Sequence, residues 1–297
     1  MIKPQTLAEV GDSQYFKLFG VSDAKAGKTT TFAASALGAL PGQQYGLVSS
    51  PECLHIITFD EDAVNGLCKF LTESCKRPDC TKLTVWNMSK IAREAIQGEG
   101  YDGSMLNNIL AIIQEVSKTA NANPAKTYAL LFSSWTGMGM ALKHGIAGRP
   151  KVDATGLIKS SGMNPTKWDI LNADLMTIRS KAHEDNKHVF WEGHIQTKFV
   201  MPTDGEQQKQ TTTEETVGVP GGEGRNWALN VSEVTRMRRE AVKYPDTQID
   251  KMAFETRPTG DFVSNGRGWS TALLPKEYDL AVMATKLGKK VGGYKKP

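Results

Sequence analysis

The sequence contains little cysteine and no long hydrophobic run. Four cysteines occur among 297 residues, all between Cys53 and Cys80 and without a Cys-x-x-Cys pair. This pattern is typical of reduced thiols in a cytosolic protein rather than of a disulfide framework. A zinc site that uses these cysteines and His55 is the alternative, although their spacing matches no common set of zinc ligands. No apolar run reaches the ~18 residues of a membrane span, and the first residues lack the apolar stretch of a signal peptide. We therefore expect a cytoplasmic protein without a membrane partner.

A strong excess of charge of either sign is also absent. Lysine and arginine number 36 and aspartate and glutamate number 32, which gives a net charge of +4. Hydrophobic residues make up 39% of the chain and charged residues 23%. These values are ordinary for globular proteins and exclude a disordered chain or a fibre. The overall charge does not indicate nucleic-acid binding, which has to be argued from local clusters of basic residues.

Strand-like and helix-like segments alternate along most of the chain, which is typical of an α/β fold with a mainly parallel sheet flanked by helices. We predict strands at residues 15–21, 54–59, 82–86, 128–132, 187–191, 231–236 and 252–256, and helices at residues 29–40, 63–74, 105–119 and 168–183. Residues 137–165 and 201–225 lack periodicity and predict long irregular loops.

The length fits two domains of about 150 residues. The long irregular loops, however, account for the residues that exceed the length of a single domain core. We predict one α/β domain over residues 14–285. A lead-in of residues 1–13 precedes it, and a basic, solvated tail of residues 286–297 follows it.

The first strand–helix connection carries the strongest motif. The pattern G-x-x-x-x-G-K-[ST] is matched with Ser22 in place of the first glycine, between an apolar strand and an alanine-rich helix. In this context the motif predicts a phosphate loop, in which backbone N–H groups and the helix N-terminus bind phosphates. Lys28 is expected to neutralise the β- and γ-phosphates, and the Thr29 hydroxyl to bind Mg²⁺. The predicted nucleotide-binding residues are Ser22, Asp23, Ala24, Lys25, Ala26, Gly27, Lys28, Thr29 and Thr30.

Acidic residues follow the next apolar strand. Asp60, Glu61 and Asp62 come directly after it, and a carboxylate at the carboxyl end of a parallel strand lies at the ligand-binding edge of the sheet. We predict that Glu61 orients and deprotonates the attacking water. Asp60 and Asp62 are alternatives for that role, and a solvated acidic turn is the alternative without function.

The phosphate loop, Glu61, and an apolar strand that runs into Ser133-Ser134-Trp135-Thr136-Gly137-Met138 together resemble the RecA-type ATPase core. The layout is most similar to the AAA-type, phage-encoded RecA-like nucleotide-binding proteins of single-strand annealing and recombination, over residues 15–269. The resemblance implies an aspartate that holds Mg²⁺ at the end of the metal-site strand, where this chain has Ser133. Three explanations are open: hydrolysis is slow, Asp60 or Glu61 supplies the missing charge, or the strand register differs from that of the family.

The resemblance also assigns roles near the end of the chain. His194 matches the polar residue that senses the γ-phosphate, with Gln196 as the alternative. Arg267 matches a residue that stabilises the γ-phosphate charge of a neighbouring subunit, as an arginine finger does. Arg257 and the cluster of Arg236, Arg238 and Arg239 are the alternatives for this role. It is also possible on the sequence that these arginines form only ordinary surface ion pairs.

Two loops are candidates for contact with DNA. The segment 201–225 lies where RecA-like proteins place a mobile DNA-contacting loop, but it carries more acidic than basic residues. The segment 137–165 is basic with almost no acids, and is the better match to a nucleic-acid backbone. We assign DNA binding to Lys143, Arg149, Lys151 and Lys159.

The resemblance implies an ATP- and Mg²⁺-dependent protein that binds single-stranded DNA in phage recombination or annealing, with hydrolysis coupled to assembly as a ring or filament in the host cytoplasm. Two other functions are open. One is a different motor with the same core, such as a ring helicase or packaging ATPase. The other is a nucleotide-binding scaffold that barely hydrolyses, for which Ser22 and Ser133 are the motivation. The motif specifies phosphates and does not choose between ATP and GTP.

Overall fold

A computed structural model describes residues 14–15, 17–22, 27–97, 103–148, 151–152, 158–159, 162–184, 186–200, 212–217, 233–243, 252–263 and 279–295. The strands are β1 Lys17–Ser22, β2 Leu54–Thr58, β3 Thr84–Asn87, β4 Ala129–Ser133, β5 Lys151–Val152, β6 Ile158–Lys159, β7 His188–Val200, β8 Thr212–Val217, β9 Glu233–Lys243 and β10 Met252–Val263. The helices are α1 Lys28–Ala36, α2 Glu61–Lys69, α3 Ser89–Gln97, α4 Ser104–Ala122, α5 Trp135–Ala147, α6 Pro165–Ala182 and α7 Leu280–Lys286.

The main sheet has a parallel centre. Its order is β10-β9-β1-β7-β4-β2-β3, and each neighbouring pair from β9 to β3 is parallel. β10 is antiparallel to β9 at one edge, and β8 is antiparallel to the second half of β7. The α/β fold with a mainly parallel sheet, predicted from the alternating pattern, is confirmed.

Two hydrophobic clusters cover the two faces of this sheet. One holds α1, α2 and α7 against residues such as Leu18 and Phe190. The other holds α3, α4, α5 and α6 against residues such as Phe19 and Trp191. Adjacent residues of β1 and β7 thus face opposite clusters, which is why these strands read as continuous apolar runs rather than as alternating ones.

The two predicted irregular loops contain regular structure. Residues 135–147 form α5, whose first turn is capped by Ser134, since its hydroxyl accepts a hydrogen bond from Gly137 N at 3.0 Å. The prediction of a loop from residue 137 was wrong because α5 is buried along most of its surface and lacks the amphipathic period of a surface helix. In the segment 201–225, residues 212–217 form β8, so that stretch is not irregular either.

The tail that was predicted to be solvated is partly exposed, but it is attached to the rest of the chain as far as residue 295. Gly292 N donates to Leu47 O at 2.6 Å, and Tyr294 both donates to Val48 O and accepts from Gly46 N. The close approach leaves no space for a side chain at residue 292, where a Cβ would lie 2.2 Å from Ser49 N. These backbone bonds hold the last described residues against the loop between α1 and β2, and supply partners that water would otherwise provide.

A hydrogen bond to Asp79, which also forms an ion pair with Arg77, joins this carboxyl-terminal segment to the turn after α2. Asp79 accepts hydrogen bonds from Arg77 Nη2 at 2.8 Å and from Tyr294 Oη at 2.7 Å. The hydrogen bonds from Arg77 hold the pKa of Asp79 well below its ordinary value, against the opposing effect of burial. Because the pKa is lower in the folded protein, the stabilisation is present above the unfolded value of about 3.9 and is lost as the pH falls through the folded value.

We therefore expect Asp79→Asn to lower the free energy of unfolding at pH 7 by about 1 kcal/mol, a value reduced by partial solvent exposure. The difference from wild type shrinks below about pH 4. Urea unfolding from pH 7 to pH 2 measures this difference in the free energy of unfolding. Glu115→Gln, on the exposed face of α4, is the control. A difference that stays constant over this range would contradict the assignment.

Close packing of α1 on β1 requires a glycine in the strand. A Cβ at Gly20 would lie 2.3 Å from Phe32 Cζ, and the Phe32 ring is buried and stacked on Phe190 with centroids 5.6 Å apart. We expect Gly20→Ala to destabilise the fold by ~1–3 kcal/mol through overpacking. Gly66→Ala on α2 is the matched control, because no atom lies within 4 Å of its Cβ and alanine favours a helix. Thermal unfolding compares the two, and equal midpoints would contradict the expectation.

Candidate nucleotide-binding site

The start of α1 has the backbone of a phosphate-binding site. β1 ends at Ser22, and Gly27 precedes α1 as its N-cap with φ 82° and ψ 25°. This left-handed conformation is strained for any residue with a Cβ. The helix N-terminus presents backbone N–H groups and the positive end of the helix dipole. Together these features favour an anion at this position.

Some of the predicted loop residues lie outside the described part of the chain. Ser22 is described as the last backbone position of β1, and residues 23–26 (Asp23, Ala24, Lys25 and Ala26) fall outside the described residues. Thr30 lies within the first turn of α1. The roles assigned to Ser22 and residues 23–26 stay predictions.

Three side chains from three elements meet at the start of α1. Thr29 Oγ1 lies 2.7 Å from Ser133 Oγ, at the end of β4. It donates to Glu192 Oε2 on β7 at 2.8 Å. Because a hydroxyl carries one hydrogen, Thr29 must then accept from Ser133. The arrangement brings both predicted metal-site hydroxyls, Thr29 and Ser133, together with a carboxylate.

Glu192 is a member of this cluster that the sequence did not predict. It is 2% exposed, and its second oxygen, Oε1, has no hydrogen-bond partner among the described residues. Burial raises the pKa of Glu192 to about 7, although the positive charge of Lys28 and the hydrogen bond from Thr29 favour the carboxylate. One signal in the sequence was available: a glutamate within the apolar run of a parallel strand is uncommon, since unpaired charges are rarely buried.

Lys28 lies close to this carboxylate. Its side chain is 5% exposed, and its charge acts on both Glu192 and His194. A buried lysine beside a buried glutamate partly compensates the desolvation of each charge. The result is a positive group held at the carboxyl edge of β1 and β7, where the γ-phosphate is expected.

His194 lies level with the carboxyl end of β1. In the parallel pairing of β1 with β7, His194 is the partner of Ser22, and its backbone N–H donates to Thr136 Oγ1 at 3.0 Å. Burial lowers the pKa of His194, Lys28 lowers it further, and Asp60 opposes the change. The ring therefore feels the charges of both Lys28 and Asp60, and its sensor role stays a prediction.

The acidic turn itself is only partly described. Asp60 is exposed, and its backbone N–H donates to Thr58 Oγ1 at 3.1 Å. Glu61 is the first residue of α2, and its side chain lies outside the described part of the structure, as does that of Asp62. The catalytic role of Glu61 stays a prediction.

Arginines extend beyond this edge on the β9–β10 ribbon. β9 runs parallel to β1 with Arg236 opposite Val21, so the residues after Arg236 continue past the end of β1. There Arg238 pairs with Arg257 of β10. These backbone positions place the alternative arginines at and beyond the carboxyl end of β1. Arg267 lies outside the described residues, and its role stays a prediction.

The predicted DNA-binding residues occupy two kinds of structure. Lys143 lies on α5, and its Nζ is 5.4 Å from the ring centroid of Trp168. Lys151 and Lys159 are direct partners in the small β5–β6 ribbon. Arg149 lies outside the described residues. The basic segment is therefore part helix and part ribbon, rather than one loop.

The cysteines form no metal site in the described structure. Cys53 and Cys80 are buried, Cys68 is exposed, and none is bonded to another cysteine. Within the described ranges, no group of three or more His, Cys, Asp or Glu side chains is placed to hold a metal ion. The zinc alternative is not supported for these residues.

A concavity lies between α4 and α6. Its volume is about 530 Å³, and Ile113, Ser117, Thr177 and Lys181 line it together with other residues. Ser117 contacts Lys187, directly before β7, with Oγ 2.7 Å from Lys187 Nζ. This cavity is therefore near the amino end of β7, whereas ligands of parallel sheets bind at the carboxyl ends.

No protein-family model matches the chain, and no curated protein matches it. Among solved structures, the chain is similar to an ATPase from the type III secretion system of pathogenic bacteria, at 11% identity and a TM-score of 0.39 over 75% of this chain and 52% of that one. This match spans about half the length of that ATPase. The chain is also similar to the flagellar accessory protein FlaH from Methanocaldococcus jannaschii, at 12% identity and a TM-score of 0.37 over 76% of this chain and 73% of that one. In the described part of the chain, no helix combines the length and the apolar character that crossing a membrane requires.

Proposed function

We propose that this chain is a RecA-like P-loop ATPase that binds ATP with Mg²⁺ at the carboxyl edge of β1 and β7. The observation that carries the proposal is the start of α1, where left-handed Gly27 is followed by buried Lys28 and Thr29, and Thr29 contacts Ser133 of β4. A Gly-Lys-Thr motif between a strand and a helix is expected to bind phosphates.

The residues present fit a magnesium ion. Thr29 and Ser133 offer hydroxyl oxygens, and Glu192 offers a buried carboxylate oxygen without a partner among the described residues. Mg²⁺ prefers oxygen ligands and is commonly held by one or two protein groups together with phosphates. When bound, the ion neutralises charge on the β- and γ-phosphates. In the proposal Lys28 binds the same phosphates, and His194 detects the loss of the γ-phosphate.

Equilibrium dialysis with radiolabelled ATP tests nucleotide binding. We expect saturable binding of about one ATP per chain in the presence of Mg²⁺, with competition by unlabelled ATP and ADP. GTP as a competitor determines the preference for the base. An absence of saturable binding at millimolar ATP would refute the proposed function.

We further propose that single-stranded DNA is the partner and that the chain acts as an oligomer in recombination or annealing, coupling ATP hydrolysis to assembly on DNA. Lys143 lies over the half-buried ring of Trp168, and Lys151 pairs with Lys159 nearby in the sequence. Aromatic rings beside positive charges are typical of sequence-independent binding to single strands, in which bases stack and lysines contact phosphates.

Fluorescence anisotropy of a labelled oligonucleotide tests this partner. We expect binding that strengthens with ATP and weakens with salt, since phosphate contacts release counterions. Trp168→Ala weakens it, and Trp86→Ala on β3 is the control. Anisotropy that does not change at micromolar protein, with and without ATP, would refute the DNA assignment and leave ATP binding untouched.

A further inference from the structure

The end of β4 lacks a carboxylate where a P-loop site needs negative charge. Ser133 is neutral and is 2% exposed. A hydroxyl polarises the water around a divalent cation less than a carboxylate does, because it carries no net charge. Asp60, one candidate replacement from the sequence, is exposed to solvent after β2. A carboxylate within the buried cluster would supply the charge that Ser133 lacks.

Glu192 is placed to supply that charge. It belongs to β7, which lies in the sheet between β1 and β4, so it neighbours both the phosphate-loop strand and the strand that ends at Ser133. One carboxylate oxygen is held by Thr29 at 2.8 Å, and the other has no partner among the described residues.

A purely structural role explains this arrangement poorly. A neutral glutamine could accept the same hydrogen bond from Thr29 without the desolvation cost of a buried carboxylate. An unpartnered buried oxygen also costs free energy. Both costs are offset if a cation binds beside the carboxylate.

We propose that Glu192, from β7, supplies the carboxylate of the Mg²⁺ site that β4 lacks at Ser133. The inference rests on the proposed function, since Mg²⁺ arrives with the nucleotide. Glu192 acts as a metal-site residue, directly or through a bound water, and Ser133 and Thr29 position it.

The test measures metal-dependent binding rather than turnover. The dissociation constant of a fluorescent ATP analogue is determined in EDTA and in Mg²⁺ for the wild type, Glu192→Gln, Ser133→Asp and the double variant. Electron paramagnetic resonance of Mn²⁺, added with the nucleotide, measures metal binding independently. Glu184→Gln, a partly exposed glutamate after α6, is the matched control.

For the wild type we expect Mg²⁺ to strengthen binding. In Glu192→Gln, affinity in EDTA is retained, and the gain from Mg²⁺ and the affinity for Mn²⁺ both fall by ~10-fold or more, as for other groups around a metal. In the double variant Mg²⁺ again strengthens binding of the analogue, because Ser133→Asp places a carboxylate at the end of β4. Ser133→Asp alone binds the analogue less well without metal, since two buried carboxylates then repel.

Three outcomes would overturn the proposal. If Glu192→Gln keeps the full gain from Mg²⁺, Glu192 is not a metal-site residue. If Glu192→Gln loses affinity equally with and without metal and the double variant does not recover, Glu192 is a structural residue. If the wild type binds no analogue in either condition, the proposed function fails first and the inference with it.

Discussion

Replacing Lys28 with methionine is expected to weaken ATP binding by about a hundredfold or more, which corresponds to the loss of a buried charge contact with phosphate. Lys28 is 5% exposed at the start of α1, so water replaces its charge poorly once the nucleotide is bound. Methionine keeps most of the packing and removes only the charge. Isothermal titration calorimetry with ATP and Mg²⁺ measures the effect.

Two controls separate binding from folding. Lys69→Met changes a lysine on α2 whose side chain is 74% exposed, and we expect it to leave affinity unchanged. Lys28→Met also leaves Glu192 without its positive neighbour, so thermal unfolding of each variant is recorded without nucleotide. An affinity of a folded Lys28→Met variant within threefold of the wild type would contradict the role of Lys28.

Trp191→Ala is expected to cost ~3–5 kcal/mol of unfolding free energy, in the range for removal of a large buried aromatic side chain. Trp191 is fully buried. Its ring stacks on Phe132 with centroids 3.9 Å apart and meets the edge of Trp135 at 4.8 Å. Its indole N–H donates to His183 Nε2 at 2.9 Å. Because the Trp191 ring contacts β4, α5 and the end of α6, a shift of one neighbouring side chain cannot restore all the contacts that the substitution removes.

Urea unfolding measures this effect, with Met176→Ala as the control. Met176 is 51% exposed on α6, and surface substitutions of this kind usually change stability by about 0.5 kcal/mol or less. A loss under 1 kcal/mol for Trp191→Ala would contradict the packing described here. Trp191 directly precedes Glu192, so the variant is also expected to loosen the nucleotide site.

The parts of the fold that the sequence predicted are those with a strong local signal. β2 and β4 are short apolar runs that the parallel sheet buries on both faces. The phosphate loop combines a motif with its flanking strand and helix. α5 was missed because its glycines and its all-round burial hide the helical period, although Ser134 at its start is a preferred capping residue.

Only those residues of the candidate site that belong to a recognisable local sequence pattern could be predicted. Thr29 follows from the motif, and Ser133 from the resemblance of its strand. Glu192 depends on the sheet order, because its contact with Thr29 joins residues 163 positions apart. Likewise, the hydrogen bond from Tyr294 to Asp79 spans 215 positions. Local composition carries no information on such pairings.

Amide hydrogen exchange with and without ATP and Mg²⁺ locates the nucleotide on the chain. We expect new protection in the peptides that contain Gly27 to Thr31, the end of β4 at Ser133, and the end of β7 from Glu192 to His194. Lys28→Met should abolish that protection. Protection confined to the cavity between α4 and α6, or no change at the start of α1, would contradict nucleotide binding at the carboxyl edge of β1 and β7.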